Sequence, residues 1–176
     1  ILLKERPFFG DDILGLAKIA AAGDFVEGTG SIKNFNIEED YAKRILADCV
    51  ITKNSPLPKP PLNKTLRIAW DAGNGAAGPA LELLVKCLPG EHHAIFTDVD
   101  GRFPNHHPDP TVEANLADLK ALVAEKNLDF GIAFDGDGDR IGAVDGLGRV
   151  IWGDQLLAIL AGPVLDEHPG ATIIAD

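Results

Sequence analysis

Asp135, Asp137 and Asp139 stand at alternate positions, separated only by Gly136 and Gly138, and Arg140 follows at once. Three carboxylates in one short loop repel one another and resist ionisation unless a cation neutralises them. The intervening glycines allow a turn tight enough for the three oxygens to converge. Hard oxygen donors in that number suit magnesium, which keeps further positions for water or a substrate phosphate. A calcium-binding EF-hand also begins D-x-D-x-D. Here, however, its sixth position holds Arg140 instead of glycine, its twelfth holds Gly146 instead of glutamate, and β-type sequence flanks the loop. The plain alternative is a solvated acidic turn without an ion. Arg140 cannot itself be a ligand, and its planar fork matches a phosphate held beside the metal. A metal and an arginine on one phosphoryl group are recurring parts of phosphoryl transfer. A structural salt bridge from Arg140 to a ligating aspartate is the other reading.

Two further groups could carry chemistry. Gly73, Gly75 and Gly78 spell G-x-G-x-x-G between an expected strand and helix, with Asp98 some way on, which would suit a dinucleotide-binding module. The following strand, however, leads into a long loop, and a dinucleotide site has no use for the acidic cluster. A tight strand-to-helix turn is therefore the favoured reading of the three glycines. In "FPNHHPDP", His106, His107 and Asp109 offer metal-ligand types, but adjacent side chains on an extended segment point to opposite sides. A rigid hydrogen-bonded loop is expected there in place of a zinc site.

The elements that must hold these residues alternate along the chain. Helices are expected within "FFGDDILGLAKIAAAG", Phe8 to Gly23, entered through Asp11 or Asp12 and closed by Gly23, and from Asn36, which can cap a run carrying Ile37, Tyr41, Ile45 and Cys49 and ended by Lys53 and Asn54. "SPLPKPPLNK" then holds four prolines and reads as a domain boundary near residues 56–63. Beyond it, strands are expected at "TLRIAW", "HAIFTDV", "DFGIAF" and "ATIIA". Helices are expected at "GPALELLVKCL", with Pro79 in its first turn, at "VEANLADLKALVAEK", and at "QLLAILAGPVL" capped by Asp154. "RIGAV" and "RVIW" form a hairpin about residues 145–148. The pattern predicts an α/β fold: a three-layer αβα domain with a mixed, mostly parallel sheet, preceded by a partial α/β domain.

Composition narrows the classes. The 176 residues are 45% hydrophobic, enough for a real core, and the net charge of −11 argues against nucleic acid as a partner. Two cysteines without CxxC spacing suggest neither a disulfide framework nor a zinc site and fit a cytoplasmic home. No run is long enough to span a membrane. The absence of methionine and the apolar ends predict an interior piece of a longer polypeptide.

Together "GIAFDGDGDRIGAVDGLGRVI", "DAGNGAAGP" and "DGRFPNHHPDP" resemble the α-D-phosphohexomutases, and most closely the bacterial phosphomannomutase/phosphoglucomutase group. The resemblance implies four domains around a cleft, with residues 1–58 the end of the first and 63–176 most of the second. It implies an enzyme that interconverts hexose 6-phosphate and hexose 1-phosphate through a phosphoserine and a 1,6-bisphosphate. Magnesium would be held by Asp135, Asp137 and Asp139, with Arg140 beside the phosphate. The partners would be a phosphorylated hexose and the remaining domains of the same polypeptide. The family's T-(A/S)-S-H-N-P serine motif and its basic lysine are not in this chain. Neither Ser31 nor Ser55 sits in that context, so the chain alone is expected to be inactive. An amino-sugar mutase is the neighbouring alternative.

Overall fold

Apolar spacing, glycine and ion pairs shape the leading segment. The computed structural model describes residues 2–47 and 65–175, divided into a compact unit up to Phe35 and another from Asn36 onward. In the first, β1 (Leu2–Leu3) pairs antiparallel with β2 (Arg6–Pro7) around Lys4, whose φ is 58°. Helix α1 (Asp11–Ala22) is capped by Gly10, not by either aspartate. Asp11 and Asp12 lie in its first turn, where acids complement the helix dipole. Arg6 grips Asp12 with two hydrogen bonds of 2.8 and 3.0 Å. Gly23, at φ 65°, ends the helix as expected, with the Gly23 and Asp24 N–H groups donating to Ala20 and Ile19. Gly15 lies inside α1 with open space where a Cβ would stand. Gly15→Ala is therefore expected to stabilise α1 by about 1 kcal/mol, read as a higher helical melting midpoint by circular dichroism.

In the second unit, α2 (Glu38–Ala47) starts where Asn36 Oδ1 accepts the Glu38 N–H at 3.0 Å. Cys49, Lys53 and the proline segment at 56–63 lie outside the described residues. A sheet follows, built from β3 (Arg67–Asp71), β4 (Glu91–Ile95), β5 (Phe130–Phe134), β6 (Ile141–Asp145) and β7 (Val150–Ile151) in the order β4-β3-β5-β6-β7. β3, β4 and β5 are mutually parallel, β6 runs against β5, and β7 runs against β6 and so regains the common direction. The sheet is thus mixed and mostly parallel.

Alternation along the strands separates the two faces. Ala69, Ala133 and Val144 pack with Leu128 and with Leu116, Leu119 and Val123, the last two on α4 (Ala117–Lys126), which follows a 3-10 turn at Glu113–Leu116. Gly131 permits this approach, since a Cβ there would stand 2.7 Å from Leu119 Cδ1. On the opposite face, Trp70 and Phe134 stack, and Phe134 shares a cleft with Leu81 and Leu84 of α3 (Gly78–Cys87), against which α2 packs. The unit is three-layered, and Pro79 lies in the first turn of α3 as expected.

Three expectations shift. β4 begins at Glu91 and ends at Ile95, earlier than "HAIFTDV", because Phe96 adopts φ 54° and breaks the extended run. Asp154 lies within the first turn of α5 (Gly153–Glu167), and the start is secured instead by the Trp152 N–H donating to Gln155 Oε1. Residues 171–175 form no strand. Ile174 is 85% exposed, and a strand needs a ladder partner that the segment does not meet among the described residues.

Candidate metal centre

The acidic loop is the connection of a hairpin. Phe134 of β5 faces Ile141 of β6 in register, and residues 135–140 close the gap. Asp135 ends the buried strand and is only 1% exposed, whereas Asp137 and Asp139 are exposed. Gly138 takes φ 78°, and its N–H donates to the Asp135 carbonyl at 3.2 Å. The turn brings one oxygen from each of Asp135, Asp137 and Asp139 within 4.8 Å of the others.

Arg140 lies along the edge of this cluster. Its backbone N–H donates to Asp135 Oδ1 at 3.0 Å and its Nε to Asp135 Oδ2 at 2.8 Å. Nη1 reaches Asp109 Oδ1 at 3.3 Å. Nε also lies 3.7 Å from Asp139. The structural salt bridge considered for Arg140 is therefore present, while its side chain remains 53% exposed. Burial pushes the Asp135 carboxyl up, but the hydrogen bonds from Arg140 outweigh it and hold the pKa below the ordinary carboxylate value. Asp139 goes the other way, raised by the neighbouring charge of Asp137 and then of Asp135.

This donor set fits a hard divalent cation. Oxygens bound to one magnesium at 2.0–2.1 Å stand at most about 4.2 Å apart, so a small rotation of the exposed side chains closes the observed spread. A cation there would relieve the repulsion that Asp139 records. An apolar cleft of about 170 Å³ between α2 and α3, lined by Tyr41, Ile45, Leu81 and Phe134 among others, opens beside Asp137 and Gly138.

Sequence reasoning missed two buried polar residues, one at the end of β3 and one just after it. Asp71, fully buried at the end of β3, accepts the Gly73 N–H at 2.8 Å and lies 2.9 Å from His106 Nε2. Asn74, also buried, donates to the Asp98 carbonyl and accepts from Asn105 Nδ2. The signal was a polar residue ending an apolar strand, but its partner in this loop is 35 positions away. His106 turns toward Asp71 and His107 is exposed, so the described residues gather no metal cluster around the two histidines.

The glycines of "GNGAAG" serve close approach within the chain. A Cβ on Gly75 would fall 2.7 Å from the Gly136 carbonyl oxygen, and one on Gly78 would fall 2.0 Å from that of Thr97. The Ala76 N–H donates to the same Gly136 carbonyl at 2.9 Å. This turn therefore supports the acidic loop through backbone contact at Gly136.

The chain resembles known proteins of one family. The profile described as "Phosphoglucomutase/phosphomannomutase, alpha/beta/alpha domain II" matches residues 39–148, which include both the glycine turn and the acidic loop. A phosphomannomutase/phosphoglucomutase of Pseudomonas syringae pv. tomato is 45% identical over all of this chain, which covers 36% of that protein. A phosphoglucomutase of Neisseria meningitidis serogroup A is 46% identical over 65% of the chain and 25% of its own length. The crystal structure of a phosphoglucomutase/phosphomannomutase family protein from Burkholderia thailandensis superposes with a TM-score of 0.75 at 40% identity, over 93% of this chain and 33% of that one. The chain thus spans about a third of the length of the Pseudomonas and Burkholderia proteins. No helix among the described residues is long and apolar enough to cross a membrane. Because the matched span holds the whole sheet-borne loop as well as most of the strands that present it, the chain belongs to the phosphoglucomutase/phosphomannomutase family.

Proposed function

We propose that this chain supplies the magnesium- and phosphate-binding segment of a phosphohexomutase that interconverts hexose 6-phosphate and hexose 1-phosphate. The observation that carries the reading is the convergence of the Asp135, Asp137 and Asp139 oxygens within 4.8 Å beside Arg140. In this reading the three aspartates hold the metal. When bound, magnesium supplies charge neutralisation to a phosphoryl group. Asp135 orients the guanidinium of Arg140 through the hydrogen bond from Nε, and a second from the Arg140 backbone N–H fixes the carboxylate. The exposed face of the guanidinium is then free to take a phosphoryl oxygen as charge builds on it. Asp109 sets the angle of the fork from the other side. The nucleophilic serine and basic lysine belong to other parts of the polypeptide, so the chain by itself binds metal and leaves phosphoryl groups in place. The parent enzyme works in the cytoplasm on mannose or glucose phosphates.

Titrating the chain with Mg²⁺, and with Mn²⁺ as a paramagnetic probe, should shift or broaden the backbone amide resonances of residues 135–140 saturably. Amides of the unit before Phe35 should stay unchanged. An acidic loop indifferent to both ions would refute the metal assignment.

A further inference from the structure

His106 is largely buried, and both of its ring nitrogens face acceptors. Nε2 lies 2.9 Å from Asp71 Oδ2, and Nδ1 lies 3.0 Å from the His107 carbonyl oxygen. A carbonyl can only accept, so Nδ1 carries a proton. The 2.9 Å contact to Asp71 also needs one. Asp71 already accepts the Gly73 N–H, and imidazole is the stronger base of the two, which puts that second proton on Nε2. The ring sits edge-on to Phe96, with centroids 5.5 Å apart. The charged or titratable groups that face it are Asp71 at the end of β3, Asp118 on α4 and its neighbour His107.

What the ring fastens is the loop carrying Pro108 and Asp109. Pro108 is buried and crosses both glycine positions: a Cβ on Gly73 would stand 3.0 Å from Pro108 Cβ, and one on Gly136 would stand 3.4 Å from Pro108 Cγ. Asp109 follows immediately. It is oriented by the Thr111 N–H and hydroxyl and holds Arg140 Nη1. The loop is thus tied at His106 to the sheet and at Asp109 to the arginine.

We propose that His106 is an imidazolium latch: doubly protonated between Asp71 and the His107 carbonyl, it docks the 103–109 loop on β3 and so positions Arg140 through Asp109. Its consequence for phosphate binding rests on the role given to Arg140 above; the latch itself does not. Burial would lower the His106 pKa, but the His107 carbonyl and the Asp71 carboxylate outweigh it and raise it. Burial also raises Asp71. A histidine raised on folding contributes its stability below the unfolded value and loses it as pH climbs through the folded one. The latch is closed between the Asp71 and His106 midpoints and opens on the alkaline side.

The test is ¹⁵N NMR of the chain without divalent metal, in a His107→Asn background so that one imidazole of the loop titrates. At neutral pH both His106 ring nitrogens should be protonated, with a midpoint above that of an ordinary histidine. The Arg140 Nε–H resonance should move with the same midpoint. Asp71→Asn should lower the His106 midpoint and detach Arg140 from it. A single neutral tautomer at neutral pH would overturn the proposal, as would an Arg140 resonance indifferent to the His106 titration. Should Asp71→Asn fail to fold, judged by amide dispersion, the titration with Asp71 intact decides alone. Since no metal is added, failure here leaves the metal reading untouched, and silence in the Mg²⁺ titration leaves the latch untouched.

Discussion

Asp137→Asn in the complete polypeptide is expected to lower turnover of hexose phosphates on the order of 10²-fold or more, which corresponds to about 2.7 kcal/mol of lost transition-state stabilisation. Asp137 is exposed, in contrast to Asp135, which is buried and clasped by Arg140. Exchanging the Asp137 carboxylate for an amide therefore removes a charge, and in the proposed reading a ligand, with little structural cost. The comparison that matters is turnover against the thermal midpoint of the same variant. A fall in the first with the second unchanged locates the loss at the metal. Unchanged turnover would mean the acidic loop has no part in the chemistry.

Gly78→Ala should produce the largest stability loss of any glycine-to-alanine change in this chain. The new Cβ would stand 2.0 Å from the Thr97 carbonyl oxygen and 2.8 Å from its carbon, both backbone atoms that no rotamer change can move. The start of α3 must then withdraw from the segment following β4, and Gly75, which supports the acidic loop, lies three residues upstream. A cost of about 3 kcal/mol is expected, read as a fall of roughly 6–12 °C in the unfolding midpoint. Gly101 serves as the control, because a Cβ there meets nothing within 4 Å. Gly101→Ala should stay within about 0.5 kcal/mol of the parent. Equal midpoints for the two variants would contradict the close packing of α3 against Thr97.

The sheet and the acidic loop were legible for a shared reason: each is written in local pattern. Period-two apolar runs mark β3 and β5, and the spacing of Asp135, Asp137 and Asp139 needs only a hairpin to gather the oxygens. The ends of elements were harder. Phe96 is apolar and reads as strand, yet its left-handed backbone ends β4, a conformation no propensity assigns to phenylalanine. At 171–175 the residues favour a strand, but a ladder depends on a partner that local sequence cannot supply. The partners of Arg140 were half visible. The salt bridge to Asp135 follows from proximity, whereas Asp109 lies 31 positions away and is delivered by the turn of a proline-rich loop. The Asp71–His106 pair was hidden in the same way, since its members come from a strand end and a loop that meet only when the sheet is complete.

The hairpin that carries the acids has a consequence for folding. Phe134 and Ile141 are joined through six intervening residues, so β5 and β6 pair across a very short loop, while β3 must find β5 from 62 positions away. Closing the short loop costs far less chain entropy, and contacts of low sequence separation form first. The mutual repulsion of the carboxylates therefore opposes an early step of assembly, before the parallel strands have docked. Ionic strength and divalent ions are expected to accelerate refolding as well as to stabilise the finished fold.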